Sequence, residues 1–283
     1  MKKLFTLLAL TITFSMNAQM DDNSHPSNNS AAIYSVAMGD GSSASGTAST
    51  AMGASTSASG GYSTAMGFFT TASGNFSTAS GCISTASGSY STAMGKNTTA
   101  SGYYSTAMGR STASDYASTV IGQYNSSGSS ATSASSFSTS APAFVIGNGT
   151  ASNARSDAFK VMFNGDTTVS NDLTVSGDVV ISSDARLKSN IVSLGSTLPK
   201  LLQIDGKSYE MKGKQKIGVL AQEIKEVFPE LVSEDDNEML AVNYQGLVPV
   251  LINALKEQQS EIETYRDEVS ELREMVQELA SRD

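Results

Sequence analysis

The sequence predicts a mainly β, fibrous, three-chain protein, in which a repetitive β-roll leads through a β-rich stem to a small α+β module ending in a coiled coil. Three observations predict it. Glycine recurs every seventh residue from Gly39 to Gly109. Charged residues are scarce before residue 136 and frequent beyond residue 182. Apolar residues near the C-terminus keep a 3-4 spacing.

At the N-terminus, Lys2 and Lys3 precede an apolar run from Leu4 to Phe14 and a cleavage region around Asn17, Ala18 and Gln19. This is the pattern of a secretory signal peptide over residues 1–18, too short to span a membrane. The expectation is export to the cell surface or the exterior, with no transmembrane segment in the mature chain. Residues 19–30 read as a polar linker that contains His25, the only histidine. Cys82 is the only cysteine and cannot form a disulfide within its own chain. No metal site, cofactor or serine–histidine triad is therefore expected. A net charge of −9 without a basic stripe argues against a nucleic-acid partner.

Between residues 31 and 122 the glycines keep phase, and each of the eleven from Gly39 to Gly109 has alanine two positions before it. The full period is fourteen: Met38, Met52, Met66, Met94 and Met108 precede alternate glycines, with Ser80 the one break. Tyr34, Tyr62, Phe76, Tyr90 and Tyr104 share the long period, with Ala48 the exception. So many glycines exclude a coiled coil, because each costs about 1 kcal/mol in a helix interior. Two strands of about five residues per fourteen-residue coil, with glycine in the tight turns, fit better. Strict phase distinguishes this from a disordered Ser/Gly/Ala tract. Alternation puts Ser63 and Ala65 on one face and Thr64 and Met66 on the other, so the alanine face lines a narrow lumen. One such coil buries little, and packing three chains through a face containing methionines and aromatics would supply the missing core. Units such as YSVAMGDGSSASG and YSTAMGKNTTASG resemble the head repeats of trimeric autotransporter adhesins. The resemblance implies a left-handed parallel β-roll, with a surface glycan or a host or matrix receptor as the partner.

Beyond Gly122 the repeat is expected to decay through a Ser-rich stretch from Ser126 to Ser140. Ala143–Gly149, Ala158–Asp166 and the alternating Leu173–Ile181 read as strands of a neck and stem over residues 123–182.

The stretch SDARLKSNI, Ser183 to Ile191, places Lys188 five residues after Ser183. A serine hydroxyl is a poor nucleophile at neutral pH, and a lysine serves as its base only where desolvation or neighbouring charge favours the neutral amine. The ordinary alternative is that Ser182, Ser183 and Asp184 form a polar turn that caps the next segment of chain. GVLAQEIKEVFPELV (Gly218–Val232) and VNYQGLVPVLINALKEQQ (Val242–Gln259) come next. In combination and order, the three motifs resemble the intramolecular chaperone domain of phage endosialidases and tail spikes over about residues 183–260. That resemblance implies a module over residues 183–247 that trimerises, assists folding of the fibre before it and releases itself by autoproteolysis. The cut would fall between Ser182 and Ser183, with Ser183 as nucleophile and Lys188 as base. Asp184, Arg186 and Asn190 match the family pattern as supporting residues that orient the loop or stabilise oxyanion charge.

From residue 248 to 283, Leu251, Leu255, Ile262, Tyr265, Val269, Leu272, Val276 and Leu279 keep the spacing of a coiled coil. A monomeric helix packed on its own module is the alternative. Three functions compete: a surface fibre that cuts itself, a structural fibre that does not cut, and a polysaccharide-degrading enzyme. The last is disfavoured because residues 31–135 hold only two carboxylates, Asp40 and Asp115.

Overall fold

The computed structural model describes residues 29–30, 32–235 and 238–281; the expected signal peptide, most of the expected linker and His25 lie outside them. The chain divides into two compact units between Val179 and Val180.

The first unit is a parallel β-roll. Its longer strands, among them Thr50–Ala54, Thr64–Phe68, Thr78–Cys82 and Thr92–Lys96, stack in one sheet, and two-residue strands such as Ser57–Ala58, Thr71–Ala72 and Thr85–Ala86 stack in a second. Register is fourteen residues per coil: Thr50 pairs with Thr64, Thr64 with Thr78, and Ser57 with Thr71. The predicted alternation holds. Ser63 and Ala65 are buried, whereas Met66 is exposed. Twelve alanines from Ala37 to Ala113, joined by Val120 and Val145, form the fully buried lumen.

The second strand of each coil is two residues long, not five, because the corners take more of the chain. They are made by non-glycine residues in the left-handed region, such as Tyr62 at φ 58° and Phe69 at φ 52°. Glycine has another task. A Cβ on Gly60, whose φ is ordinary, would sit 2.1 Å from the carbonyl oxygen of Gly74, and on Gly67, at φ 117°, 2.0 Å from that of Gly81. Glycine is thus required chiefly by the closeness of successive coils.

The roll does not decay at Gly122. A thirteen-residue coil precedes it, pairing Thr99 with Thr112 and Thr106 with Thr119. Asp115 stands where a glycine would stand, its carbonyl oxygen 2.1 Å from a Cβ placed on Gly102. Its buried carboxylate accepts the N–H groups of Thr132 and Ser133 at 2.6 and 2.7 Å. Asn125 exchanges side-chain hydrogen bonds with the backbone N–H and C=O of Thr112, both at 2.8 Å. The Ser-rich stretch therefore bonds to the last coil, and Pro142–Asn148 rejoins the long-strand sheet in parallel beside Thr119–Gln123. Asp157–Met162 and Thr167–Val169 then extend that sheet antiparallel. Leu173–Ile181 forms no strand, and Leu173, Val179 and Val180 are exposed. Alternation alone makes no strand where a chain offers no ladder partner.

The second unit contains a one-turn helix, α1 (Leu198–Leu201), a hairpin of Lys207–Met211 with Lys214–Gly218, and helix α2 (Ala221–Val227). A second hairpin, Val232–Glu234 with Leu240–Val242, leads to the 34-residue helix α3 (Leu247–Ala280). The strand Lys214–Gly218 leads into α2, which stops before Pro229. Ile224, Phe228 and Val250 form the core. On α3 only Val250 and Ala254 are buried, while Ile262, Tyr265, Val269, Leu272, Val276 and Leu279 form an exposed apolar stripe. The alternative of a helix packed along its own module fails beyond Glu257, in the third turn.

Candidate active site

Asp184 organises the segment around the predicted nucleophile. Its carboxylate caps a 3-10 turn, Ala185–Leu187, by accepting the backbone N–H of Arg186 at 2.8 Å. The Arg186 guanidinium folds back on the same carboxylate, with Nη2 at 2.7 Å and Nε at 3.0 Å. This side-chain bond, followed by the backbone one, holds the Asp184 carboxyl below the usual carboxylate range, and Asp184 in turn raises Arg186. Leu187 N–H donates to Asp184 C=O and Lys188 N–H to Ala185 C=O, both at 3.1 Å.

The turn closes the five-residue gap. Lys188 Nζ donates to Ser183 Oγ at 2.8 Å, and both residues are exposed. Of the predicted residues, Ser183, Lys188, Asp184 and Arg186 thus form two hydrogen-bonded pairs on one turn. Ser182 directly precedes the pair and is exposed. Asn190 takes no part in those bonds; it adopts φ 52°, a left-handed conformation that asparagine tolerates and that redirects the chain after Lys188. In chemical terms the turn places an amine on a hydroxyl. Catalysis requires the reverse proton flow, so the ammonium must first lose a proton before it can accept one from serine.

Sequence reasoning missed the residues that fasten the start of α1 to α3. The Glu257 carboxylate on α3 accepts the Ser196 hydroxyl at 2.7 Å, the Thr197 N–H, and the Leu198 N–H at 3.3 Å, so it caps α1 from sixty residues away. The Ser196 hydroxyl is the chief cause, and the Thr197 N–H the next, of a Glu257 pKa below its ordinary value. Buried Thr197 also donates its hydroxyl to Val250 C=O at 3.0 Å. Nothing local in the sequence links these residues; only the S-T-L-P start of α1 hinted at a cap in need of an acceptor. Glu223, a residue that could pass for an acid or base, instead pairs with Lys207 at 3.1 Å.

Among the described residues no group of three or more histidine, cysteine, aspartate or glutamate side chains could hold a metal ion. Nor is any described helix long and apolar enough to cross a membrane.

No curated protein matches the chain. Two family models do. Residues 30–56, 58–81 and 86–112, all within the roll, match the YadA head domain repeat. Residues 183–233, which begin at the candidate nucleophile and include α1, α2 and the first hairpin, match the family described as chaperone of endosialidase. The chain thus joins a head similar to adhesin repeats to a module similar to the endosialidase chaperone.

Proposed function

We propose that this chain is an exported, adhesin-like homotrimeric fibre, whose C-terminal module directs assembly and then releases itself by cutting between Ser182 and Ser183. The observation that carries the cutting is the 2.8 Å contact from Lys188 Nζ to Ser183 Oγ across the Asp184–Arg186 turn. Once neutral, Lys188 takes the hydroxyl proton as Ser183 Oγ attacks the Ser182 carbonyl. The C–N bond breaks, its nitrogen takes a proton, and the acyl group rests on Ser183 as an ester. Water then hydrolyses the ester, leaving a carboxylate on Ser182 and a new amino terminus at Ser183. The reaction is intramolecular and single-turnover, which gives it a high effective concentration.

The homotrimer is supported by the resemblance to families that trimerise and by two unpartnered apolar rows. One is the exposed stripe on α3; the other is Met52, Met66, Met94 and Met108 on the roll, each about 40% exposed. A surface or extracellular location is supported by the adhesin-type head, and export by the N-terminal run of residues 4–14.

A structural fibre that never cuts is the second reading, favoured by the exposure of Ser183 and Lys188, which gives the lysine no low-dielectric surroundings within one chain. The polysaccharide-degrading reading gains nothing from the head, because Asp115 is buried under Thr132 and Ser133 while Asp40 is exposed.

Denaturing electrophoresis with mass spectrometry on wild type, Ser183→Ala and Lys188→Ala separates the first two readings. Self-cleavage predicts a fragment of roughly 100 residues starting at Ser183 in wild type alone, formed faster as pH rises. Intact chain in all three proteins would leave the non-cutting fibre.

A further inference from the structure

The aromatic ladder along one corner of the roll lacks a ring. Tyr62, Phe76, Tyr90 and Tyr104 stack at 4.9 Å between successive centroids, their planes within 7° of parallel. Ala48 holds the equivalent place one coil earlier, and Tyr34 the place before that. The backbone does not distinguish them. Tyr34, Ala48 and Tyr62 have φ of 61°, 52° and 58°. Ala48 N–H donates to Ile33 C=O at 2.9 Å and Tyr62 N–H to Thr47 C=O at 2.7 Å, and the same bond recurs at Phe76, Tyr90 and Tyr104. The corner at Ala48 is therefore built like those that carry rings, yet carries a methyl group. Exposure records the gap. Phe76, Tyr90 and Tyr104, each with a ring on both sides, are 47–49% exposed, whereas Tyr62 is 59% and Tyr34 75% exposed. Continuing the 4.9 Å repeat over two coils puts about 9.8 Å between the Tyr34 and Tyr62 positions. A flat ring touching a neighbour on each face needs about 7–8 Å, twice the usual carbon–carbon contact, and a puckered six-membered ring slightly more.

We infer that the slot over Ala48, between Tyr34 and Tyr62, receives one pyranose ring of a neutral glycan. The inference rests on the adhesive reading above and gives it a contact point. An aromatic face is the negative pole of a quadrupole and attracts polarised C–H groups. A pyranose offers C–H on both faces and hydroxyls around its edge, and the exposed Thr47 hydroxyl lies beside the slot in sequence. Asp40 is the one charged residue between Tyr34 and Gly95, so no cation on these coils selects an acidic sugar. From Tyr62 to Tyr104 the rings stack face to face, so that part of the ladder has no gap for a second ring to enter.

The test is saturation-transfer NMR on the chain lacking residues 1–18, with the methyl glycosides of glucose, galactose, mannose and N-acetylglucosamine as probes. At least one glycoside should receive saturation at its ring C–H protons. Tyr62→Ala, which removes one wall, should weaken that binding about tenfold, the worth of one aromatic stacking contact. Ala48→Tyr should abolish it while raising thermal stability, since tyrosine already adopts this φ at five other corners of the roll. Silence from all four probes, or unchanged binding by Ala48→Tyr, overturns the inference. So does a fall in the assembly mass of Ala48→Tyr, which would give the slot to a side chain of another copy. A chain that neither cuts nor trimerises yet binds sinks the self-cutting trimer and leaves the glycan slot standing.

Discussion

The roll and the C-terminal module obtain order in opposite ways. In the roll every coil bonds to the next through in-register backbone pairs, and the interior is filled by alanine, serine and threonine. No large side chain is needed because the sheets approach too closely to admit one. In the module the hairpins are two-stranded and separate, and order depends on a few large residues, Ile224, Phe228 and Val250, with an ion pair and a cap around them. The roll is thus sensitive to atoms added, whereas the module is sensitive to atoms removed. Much of the apolar surface of α3, including Leu272 and Val276, is exposed.

The largest expected effect comes from adding atoms to the roll. Gly67→Val puts a branched side chain where a Cβ would lie 2.0 Å from the carbonyl oxygen of Gly81, at φ 117°. It should cost more than about 3 kcal/mol and abolish cooperative thermal unfolding of the head. The same change at Gly206, whose Cβ would meet nothing within 4 Å, should stay within about 0.5 kcal/mol. Equal effects at the two sites would break the contrast.

Removing atoms from the module comes next. Ile224 is fully buried, and Ile224→Ala should destabilise the module by about 2–5 kcal/mol in urea titrations while leaving the head transition unmoved. Ala65→Gly in the lumen should cost only about 1 kcal/mol.

The smallest effect is a pH dependence confined to the module. A carboxyl whose folded pKa is depressed stabilises above its unfolded pKa, and that contribution disappears as pH falls through the lower folded value. Glu257 is such a group, held down first by the Ser196 hydroxyl. Hydrogen exchange at Thr197 and Leu198 should accelerate as pH falls below the ordinary carboxylate range, after correction for intrinsic rates. Glu257→Gln should remove that dependence. A persistent acid response in the variant would rule out Glu257 as its source.

The parts legible in the sequence were those governed by short-range period. Ser63 and Ala65 inward with Met66 outward follow from a repeat of two. Lys188 could be matched to Ser183 because a single turn closes their gap. The short strands were overestimated because Phe69 and Ile83 turn the chain at φ 52° and 54°, conformations that bulky side chains seldom adopt. Long-range bonds left no local trace. Asp115 reaching Thr132, Pro142–Asn148 rejoining the roll, and Glu257 capping α1 each join residues at least seventeen positions apart.

The uniform pairing of residue i with residue i+14 makes the roll a ruler that can be cut or extended. A fourteen-residue duplication upstream of Gly102 meets the same alanines, the same carbonyl contacts and the same hydrogen bonds on both sides, and lengthens the head by about 4.8 Å. Past that point the thirteen-residue coil with Asp115 breaks the fourteen-residue register. Copy number in the gene can therefore set how far the tip stands from its base without any other part of the protein having to change.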